Sequence, residues 1–340
     1  IASGVLNIAS ISSVFDKKLY KPLAPLSALL AIAFLIAGLI VLVLDLGKPD
    51  RLIVAMTTYN FKSIFSWNIF LYSGFAVVLA VYMWTMLDRE VNRFSKYAGT
   101  FAFGWRIILT TGTGSIFGFL VAREAYATAI LAPLFIVMSL LYGTAVYYLI
   151  LKTISKFHNT YISDDIVKNL RKLTIMFLFA NLYFLFLYHI TNMYIAKHLD
   201  YEIFILSSGG IYTIAFWVGQ LFVGIIMPII LLNSSRLSLE YSLILSSVLI
   251  LIGSFIAMYV IIIGGQAYPL TIFPDHVIIE SSFYDNVVHS YIPSLYELGL
   301  GLGGVALALI IVLIGIANFK FLPTIIKPAN VIPNKDDAAD

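Results

Sequence analysis

An acid, a tight turn and two bases follow the first long apolar stretch of this chain. The stretch runs from Pro22 to Leu44 and is followed by Asp45-Leu46-Gly47-Lys48-Pro49-Asp50-Arg51. About 20 apolar residues are enough to cross a membrane, and an ionisable group at that depth is costly unless it is paired or functional. One interpretation is a helix end with a local Lys or Arg paired to Asp45. The other is a polar pocket or a docking surface.

A second group of polar residues, Arg123, Glu124 and Tyr126, follows a later apolar stretch. Side chains of these types near a membrane interface can hydrogen-bond a bound molecule and exchange protons with it. The alternative is an Arg that extends its head group to the interface beside an interfacial Tyr. Because the chain has 21 Tyr, both interpretations stay open.

Several polar side chains lie inside apolar stretches, where a membrane would surround them. An amide in hydrocarbon needs a partner, so Asn7, Trp67 and Asn68 are candidates for one polar pocket. An ionisable group within the membrane indicates a functional site, often a proton relay. The candidates for such a proton path are Arg106, Asn181, His189, Gln220 and Glu297. Hydrogen bonds between helices are the alternative for all of these residues.

The composition identifies the elements that must position these side chains. Of the 340 residues, 61% are hydrophobic and 11% are charged, whereas a soluble domain has about 25% charged residues. We therefore predict an all-α polytopic membrane protein with about nine to ten transmembrane helices in two helical bundles. The predicted spans are 1–15, 22–46, 66–87, 99–121, 127–151, 170–195, 205–232, 239–263 and 296–317.

The domain organisation follows from these spans. We expect one integral membrane domain over residues 1–319, and the start within an apolar stretch predicts that the N-terminal helix is truncated. Lys and Arg are concentrated in the connections after every odd-numbered span, which predicts that this side is cytoplasmic. Residues 320–340 would then be a disordered cytoplasmic tail of a multi-pass protein in a prokaryotic cell membrane. The unusual polar residues collect on the outer face, including the long connection 264–295 with Asp275, Glu280 and Asp285.

Three stretches together resemble the NrfD-like membrane subunits of polysulfide reductase and the related subunits of respiratory hydrogenases and sulfur-metabolising complexes. The residues Asp45–Pro49 are similar to the DLG(R/K)P turn of that family. The other two stretches are Thr111-Gly112-Thr113-Gly114-Ser115 through Arg123, and Ile263–Leu270 with Tyr291–Glu297. Their joint order covers nearly the whole chain. One departure is that Thr111–Ser115 contains no His, whereas the hydrogenase-type branch often has one near this stretch, so a proton route like that of the branch would lack this residue here.

The resemblance implies a membrane anchor of a respiratory oxidoreductase that interacts with quinone or quinol, menaquinone or similar. The chain itself would be a non-catalytic or quinone-reactive subunit. Its partners would be a ferredoxin-like iron–sulfur subunit and a catalytic subunit with molybdopterin or nickel–iron on the outer face. The quinone-binding candidates are Asn7, Asp45, Trp67, Asn68, Arg123 and Tyr126. The candidates for subunit docking are Lys48, Arg51, Asp275, Glu280 and Asp285.

The residue types also exclude some chemistry and leave alternatives. The chain has no Cys, so it supplies no thiolate ligands for an iron–sulfur cluster and forms no disulfide. Only His189 lies well within a span, whereas a low-spin haem needs two axial His ligands, so we expect no haem. A secondary transporter is the alternative function, with broken helices at Gly112–Gly114 and Gly264–Gly265 around a midplane site. A purely structural anchor is a third possibility.

Overall fold

The structure, a computed structural model, describes residues 1–14, 18–269, 288, 291–319 and 325–326. Twelve helices, numbered α1 to α12, account for most of these residues, and α10 and α11 each include a π-helical segment. The bounds are α1 Ala2–Val5, α2 Asn7–Val14, α3 Ala24–Asp45, α4 Asp50–Thr57, α5 Ile64–Leu87, α6 Ser95–Gly118, α7 Leu131–Phe157, α8 Asp164–Tyr194, α9 Leu199–Ile203, α10 Ile211–Asn233, α11 Leu239–Ala267 and α12 Leu295–Asn318.

Short elements join these helices. The 3₁₀ turns are Lys18–Leu23, Asn92–Phe94 and Ala196–His198. The π-helical segments are Phe204–Ser208 after α9, Ala215–Ile226 within α10 and Tyr259–Gly264 within α11. Two strands, β1 (Tyr161–Ile162) and β2 (Ile325–Ile326), form a short parallel pair.

Seven of the described helices are long and apolar enough to cross a membrane, namely α3, α5, α7, α8, α10, α11 and α12. The prediction of an all-α polytopic membrane protein is therefore confirmed. The count of nine to ten spans is not confirmed. α6 has 24 residues but is less apolar, because Arg106 and several Thr and Ser residues lie in it. The predicted first span is interrupted at Leu6, between α1 and α2.

The helices α1 and α2 lie in the centre of the first half of the molecule, packed against α3, α6 and α7. Val5, Leu6 and Ile8 are completely buried. The approach of α1 to α7 requires glycine on both sides. A Cβ on Gly4 would lie 1.8 Å from the carbonyl oxygen of Ser139, and a Cβ on Gly143 would lie 2.0 Å from the carbonyl carbon of Gly4.

The helices α8, α10 and α11 form the second half, and α7 contacts both halves. α10 and α11 approach closely where Gly224 faces Gly253, since a Cβ on Gly253 would lie 2.1 Å from Gly224 Cα. α12 packs on α3. Contacts join the ends of α6 and α11 at one end of the molecule, here named the distal end, which contains Arg123 and Gln266. The proximal end contains Lys152 and Glu240.

The helix breaks expected for a transporter are absent from the described residues, so that prediction is wrong. α6 is helical through Gly112 and Gly114. Gly114 instead allows α6 to contact the start of α7, where a Cβ would lie 2.7 Å from the Leu131 carbonyl oxygen. α11 is likewise helical through Gly264 and Gly265, although its winding changes from π to α there.

Candidate functional site

Asn68 is a buried amide in the second turn of α5, at the distal end of the first half. Its Nδ2 donates hydrogen bonds to the Ile64 carbonyl at 3.0 Å and to the Gly112 carbonyl of α6 at 3.1 Å. Its Oδ1 is buried and has no hydrogen-bond partner among the described residues. Because a buried acceptor without a donor is rare and costly, this oxygen is a candidate acceptor for a hydrogen bond from a polar ligand or water.

The surroundings of Asn68 combine hydroxyl groups with aromatic rings. Tyr72 lies one turn further along α5, and its hydroxyl hydrogen-bonds Thr113 Oγ1 at 3.3 Å. Trp67 faces outward, and its indole Nε1 donates to the Phe61 carbonyl at 2.9 Å. Trp67 also packs edge-on against Phe70. Trp67 and Asn68 are therefore neighbours in sequence that point to different environments.

Asn7 and Arg106 meet a different polar cluster, deep in the first half. Asn7 Nδ2 donates to the Leu140 carbonyl and to Thr144 Oγ1 of α7. The Arg106 guanidinium is 3% exposed and donates from Nη1 to the Ser3 carbonyl at 2.9 Å. It also lies 5.0 Å from the centroid of the Phe103 ring. No carboxylate of the described residues forms an ion pair with Arg106, and its Nε has no hydrogen-bond partner among them.

Arg123 and Tyr126 tie the connection after α6 to the end of α11. Arg123 Nη1 donates to the Gln266 carbonyl at 3.0 Å. The Tyr126 hydroxyl lies 3.1 Å from both the Ile261 and Ile262 carbonyls. These carbonyls belong to a π-helical segment, whose hydrogen bonds span one residue more than those of an α-helix. Both side chains thus have structural partners in the second half, and neither contacts Asn68.

Asp45 ends α3, Lys48 lies in the connection that follows and Arg51 lies in the first turn of α4, and all three are exposed. The expected local ion pair is wrong: within the described part of the chain, neither Lys48 nor Arg51 pairs with Asp45. The chain turns at Gly47 and α4 begins shortly afterwards. Lys48 and Arg51 therefore lie beyond the turn and not at the end of α3. Asp275, Glu280 and Asp285 lie outside the described residues.

A buried acid that the sequence analysis missed lies at the distal end of the second half. Glu202 of α9 is completely buried. Its Oε2 is 2.8 Å from His189 Nδ1, and its Oε1 accepts a hydrogen bond of 2.9 Å from Asn192 Nδ2. Asn192 Oδ1 is in turn 3.2 Å from Nδ1 of the buried His198. Of the sequence candidates, only His189 belongs to this group.

Two buried tyrosines enclose this acid. Tyr188 donates its hydroxyl proton to the Ala125 carbonyl at 2.7 Å, which links α8 to the connection after α6. The Tyr188 ring packs edge-on against His189, and Phe216 of α10 packs against the other side of that imidazole. Tyr201 contacts the ring of Tyr268. The imidazole that contacts this acid therefore packs against aromatic rings, and the acid itself is closed to solvent.

The remaining proton-path candidates lie in separate places. Asn181 and Gln220 are buried in α8 and α10, and the amide oxygen of each has no partner among the described residues. Glu297 lies at the exposed start of α12, where it forms a capping box with Ser294. Its carboxylate accepts from the Ser294 backbone N–H at 2.6 Å. The structure thus groups Asn181 and Gln220 with the second half and leaves Glu297 at a helix cap.

Electrostatics at the distal surface favour neutral side chains. Burial raises the pKa of the Glu124 carboxyl, and Asp200 raises it further, while Lys197 opposes the shift. Burial and Lys197 lower the pKa of the His198 imidazole, against the opposing effect of Glu202. Burial also raises the pKa of the Tyr126 phenol to about 12, opposed by Arg123. The charged form of each group is disfavoured because water is excluded from it.

Comparisons with known proteins agree with this architecture. Residues 1–269 match the family described as Polysulphide reductase, NrfD. The chain is 26% identical over 330 residues to the Hdr-like menaquinol oxidoreductase integral membrane subunit of Archaeoglobus fulgidus, which covers 95% of this chain and 82% of that relative. It is 21% identical over 351 residues to a selenate reductase subunit of Mesobacillus selenatarsenatis, covering 92% of this chain and 80% of the relative.

A third relative matches only part of the chain. A putative dimethyl sulfoxide reductase membrane subunit of Halobacterium salinarum is 26% identical over 165 residues, which covers 42% of this chain and 38% of the relative. The family match, in contrast, extends over most of the chain and includes Asn68, Arg106, His189 and Glu202. The protein therefore belongs to the polysulphide reductase NrfD family.

Proposed function

We propose that this chain is the quinone- or quinol-interacting membrane subunit of a multisubunit respiratory oxidoreductase. Its family supports this function, as do the names of two relatives, a menaquinol oxidoreductase membrane subunit and a selenate reductase subunit. The observation that carries the proposal is the unpartnered Oδ1 of buried Asn68. A quinol hydroxyl can donate to such an oxygen, and the apolar surroundings suit a lipid-soluble ring.

Asn68 is held in a fixed orientation by its own hydrogen bonds. Because Nδ2 donates to two backbone carbonyls, the amide presents only Oδ1 to a ligand. Such an acceptor distinguishes a quinol, which has hydroxyl donors, from a quinone, which has only acceptors. When bound, a quinol supplies electrons and releases protons as it is oxidised. The protein's own part would be to orient one hydroxyl against Asn68.

Nearby groups complete the proposed site. The hydroxyls of Tyr72 and Thr113 share a hydrogen bond and can reorient toward a ligand oxygen. Gly112 lets the backbone of α6 lie close to Asn68, since a Cβ there would lie 3.0 Å from Leu71 and 3.3 Å from Asn68 Oδ1. Asn7, Asp45, Trp67, Arg123 and Tyr126 stay candidates, although all except Asp45 already hydrogen-bond protein groups, and Asn7 and Tyr126 do so while buried. We assign those two to the support of the helices.

The proposed partner surface lies at the distal end. α4 has no buried residue, and Ile53 and Val54 are more than half exposed beside the cations Lys48 and Arg51. A peripheral subunit with an apolar patch and acidic groups would fit this surface. We propose a ferredoxin-like iron–sulfur subunit there, joined to a molybdopterin or nickel–iron catalytic subunit, with Asp275, Glu280 and Asp285 as further docking residues. Whether electron transfer drives proton translocation is a separate proposal.

The test is quinone binding by the intact complex, purified with its partner subunits. Asn68→Leu removes the amide, whereas the control Asn233→Leu removes an exposed amide with the same bond to the carbonyl four residues earlier. Losing one hydrogen bond of about 1.4 kcal/mol raises the dissociation constant about tenfold. We therefore expect Asn68→Leu to weaken binding of a short-chain menaquinone analogue about tenfold, and Asn233→Leu to leave it unchanged.

Two outcomes would contradict the proposal. Equal binding by both variants would remove Asn68 from the site. A purified complex that contains no quinone by mass analysis and no iron–sulfur subunit would contradict the function as a whole. A homo-oligomer of this chain alone would favour the transporter. Thermal unfolding of both variants shows whether the Asn68 substitution disturbs the contact between α5 and α6.

A further inference from the structure

The Glu202–His189 pair is the most polar buried site of the second half, and its two members differ in exposure. The Glu202 side chain is 1% exposed, whereas the His189 side chain is 13% exposed. His189 Nδ1 faces the carboxylate, and His189 Nε2 forms no hydrogen bond with the described residues. The imidazole lies little more than one turn before the end of α8. Nε2 is therefore the nitrogen of His189 that the hydrogen bonds of the described residues leave open to a proton.

The hydrogen bonds around Glu202 also determine that Nδ1 of His189 carries a hydrogen. Asn192 Nδ2 donates to Glu202, so Asn192 Oδ1 faces His198 and can only accept. His198 Nδ1 must then carry a hydrogen and donate to that oxygen. Both oxygens of Glu202 accept, one from Asn192 and one from His189. The carboxylate consequently holds His189 with the hydrogen on Nδ1 and leaves Nε2 as the free basic nitrogen.

We infer that His189 is a proton-exchange residue at the distal end and that Glu202 is its buried counter-ion. The proton is taken up at Nε2 of the neutral imidazole, which forms imidazolium, and Nδ1–H stays donated to the Glu202 carboxylate. Release returns the proton from Nε2 to water. No electron moves and no other bond changes. Asn192 and His198 are positioning residues that hold the carboxylate in place.

The physical reason lies in the charge of the buried pair. A carboxylate in a low-dielectric site is costly alone, and a neighbouring imidazolium compensates it. Uptake of a proton therefore converts a buried anion into a neutral ion pair. The titratable groups that interact electrostatically with Glu202 are Tyr188, Tyr201 and His198. Tyr126 acts in turn on the two tyrosines, and Lys197 acts on His198. Among the buried groups of this set His198 can also carry a positive charge, but its Nδ1 faces the Asn192 amide oxygen and not Glu202.

Polar groups continue from this pair toward the middle of the second half. Phe216 packs on His189, and Gln220 lies one turn further along α10. Asn181 lies on the same buried stripe of α8 as Tyr188 and Asn192. The unpartnered amide oxygens of Gln220 and Asn181 need donors, which ordered water supplies in most buried sites. A proton held on His189 thus has the acceptor groups of Gln220 and Asn181 further toward the middle of the second half.

The inference goes beyond quinone binding, because the pair is separate from Asn68. Only its link to turnover rests on the proposed function: a proton released by quinol at the distal end would exchange with His189. The test measures the imidazolium of His189 directly. It uses infrared difference spectra of the intact complex in nanodiscs, with ¹⁵N-labelled histidine, recorded at neutral pH against alkaline pH.

The expected result is a histidinium band that His189→Asn removes. Asn in place of His keeps an N–H donor for Glu202, so the variant retains the hydrogen bond but not the titration. Glu202→Gln should lower the same band, because the anion that contacts the imidazolium is gone. The control Glu240→Gln removes the acid of a partly exposed ion pair at the proximal end and should leave the band unchanged.

Either of two results would overturn the inference. An unchanged histidinium band in His189→Asn would show that His189 does not titrate. An unchanged band in Glu202→Gln would show that Glu202 is not its counter-ion. If Glu202→Gln fails to fold, His189→Asn decides alone. This outcome does not depend on quinone. Loss of the band in the variants supports the proton-exchange site whether or not the wild-type complex binds quinone. A wild-type complex without quinone would contradict only the proposed function.

Discussion

The two halves of the molecule bury charge in opposite ways. In the first half, Arg106 is a buried cation that faces a carbonyl and an aromatic ring, and no carboxylate of the described residues pairs with it. In the second half, Glu202 is a buried acid held by an imidazole and an amide. The buried guanidinium is a cation without an acid partner among the described residues, whereas imidazole is the side chain whose charge ordinarily changes near neutral pH. The first half is therefore suited to holding a positive charge, and the second half is suited to exchanging a proton.

The largest expected effect comes from removing the buried acid. Glu202→Ala leaves Asn192 Nδ2 and His189 Nδ1 without their acceptor in a site closed to water. Breaking a buried charged pair costs about 3–5 kcal/mol, so we expect a large fall in the thermal midpoint. Lys152→Met breaks an ion pair whose side chains are 31% and 42% exposed, and exposed pairs contribute about 0–1 kcal/mol. Equal destabilisation of both variants would contradict the comparison.

Glycine contacts should be equally critical in both halves. Gly143→Ala places a methyl group against the backbone of Gly4, and Gly253→Ala places one against Gly224. Because backbone cannot move aside cheaply, each should cost about 1–3 kcal/mol, measured by thermal unfolding in detergent. Gly38→Ala, where a Cβ meets nothing within 4 Å, is the control. A tolerant Gly143→Ala would show that α1 is loosely held.

A smaller effect concerns pH and belongs to the second half alone. The pKa of His198 is lowered in the folded protein, chiefly by burial. The unfolded chain therefore binds a proton first, and stability is lost as pH falls through the unfolded value of about 6.5. His198→Asn keeps a donor for Asn192 and removes this titration. We expect the variant to lose less stability than wild type between about pH 7.5 and about pH 5.5. Parallel pH profiles would contradict this assignment.

The smallest effect on stability is expected at Arg106. Arg106→Met replaces a buried cation that has no carboxylate partner among the described residues with an apolar side chain of similar length. Apolar replacement of buried charge is often neutral or stabilising. The free energy of unfolding of the variant should therefore stay within about 1 kcal/mol of the wild-type value or exceed it. A large loss would mean that an anion compensates Arg106 in the complex, and the two halves would then be alike.

Most of the helices were predictable from the sequence because hydrophobic length determines a span. Predicted spans 66–87 and 296–317 differ from Ile64–Leu87 and Leu295–Asn318 by one or two residues. Prediction failed where a helix continues beyond its apolar part. α8 begins at Asp164, whereas the prediction began at 170. Asp164 and Asp165 stabilise the N-terminal turn through the helix dipole, a signal that hydrophobicity does not contain.

The site was predictable only in part. Asn68 stood out because an amide interrupts an apolar stretch, but its free oxygen depends on the Gly112 carbonyl of another helix. Glu202 was missed because it lies between two predicted spans, where an acid is ordinarily solvated. The chain instead folds back through α9 and buries it. The clustering of His189, Asn192, His198 and Glu202 within fourteen residues was the available signal.

The π-helical segment Ala215–Ile226 sets the angular phase of α10. Its 12 residues turn less per residue than those of an α-helix, so Phe216 meets His189 while Gly224, two turns later, still meets Gly253. A point substitution leaves this phase intact. Deleting one residue would change the winding of the segment and therefore the angle between the two contacts. Length within this segment, more than side-chain identity, therefore links the proton-exchange pair to the rest of the second half.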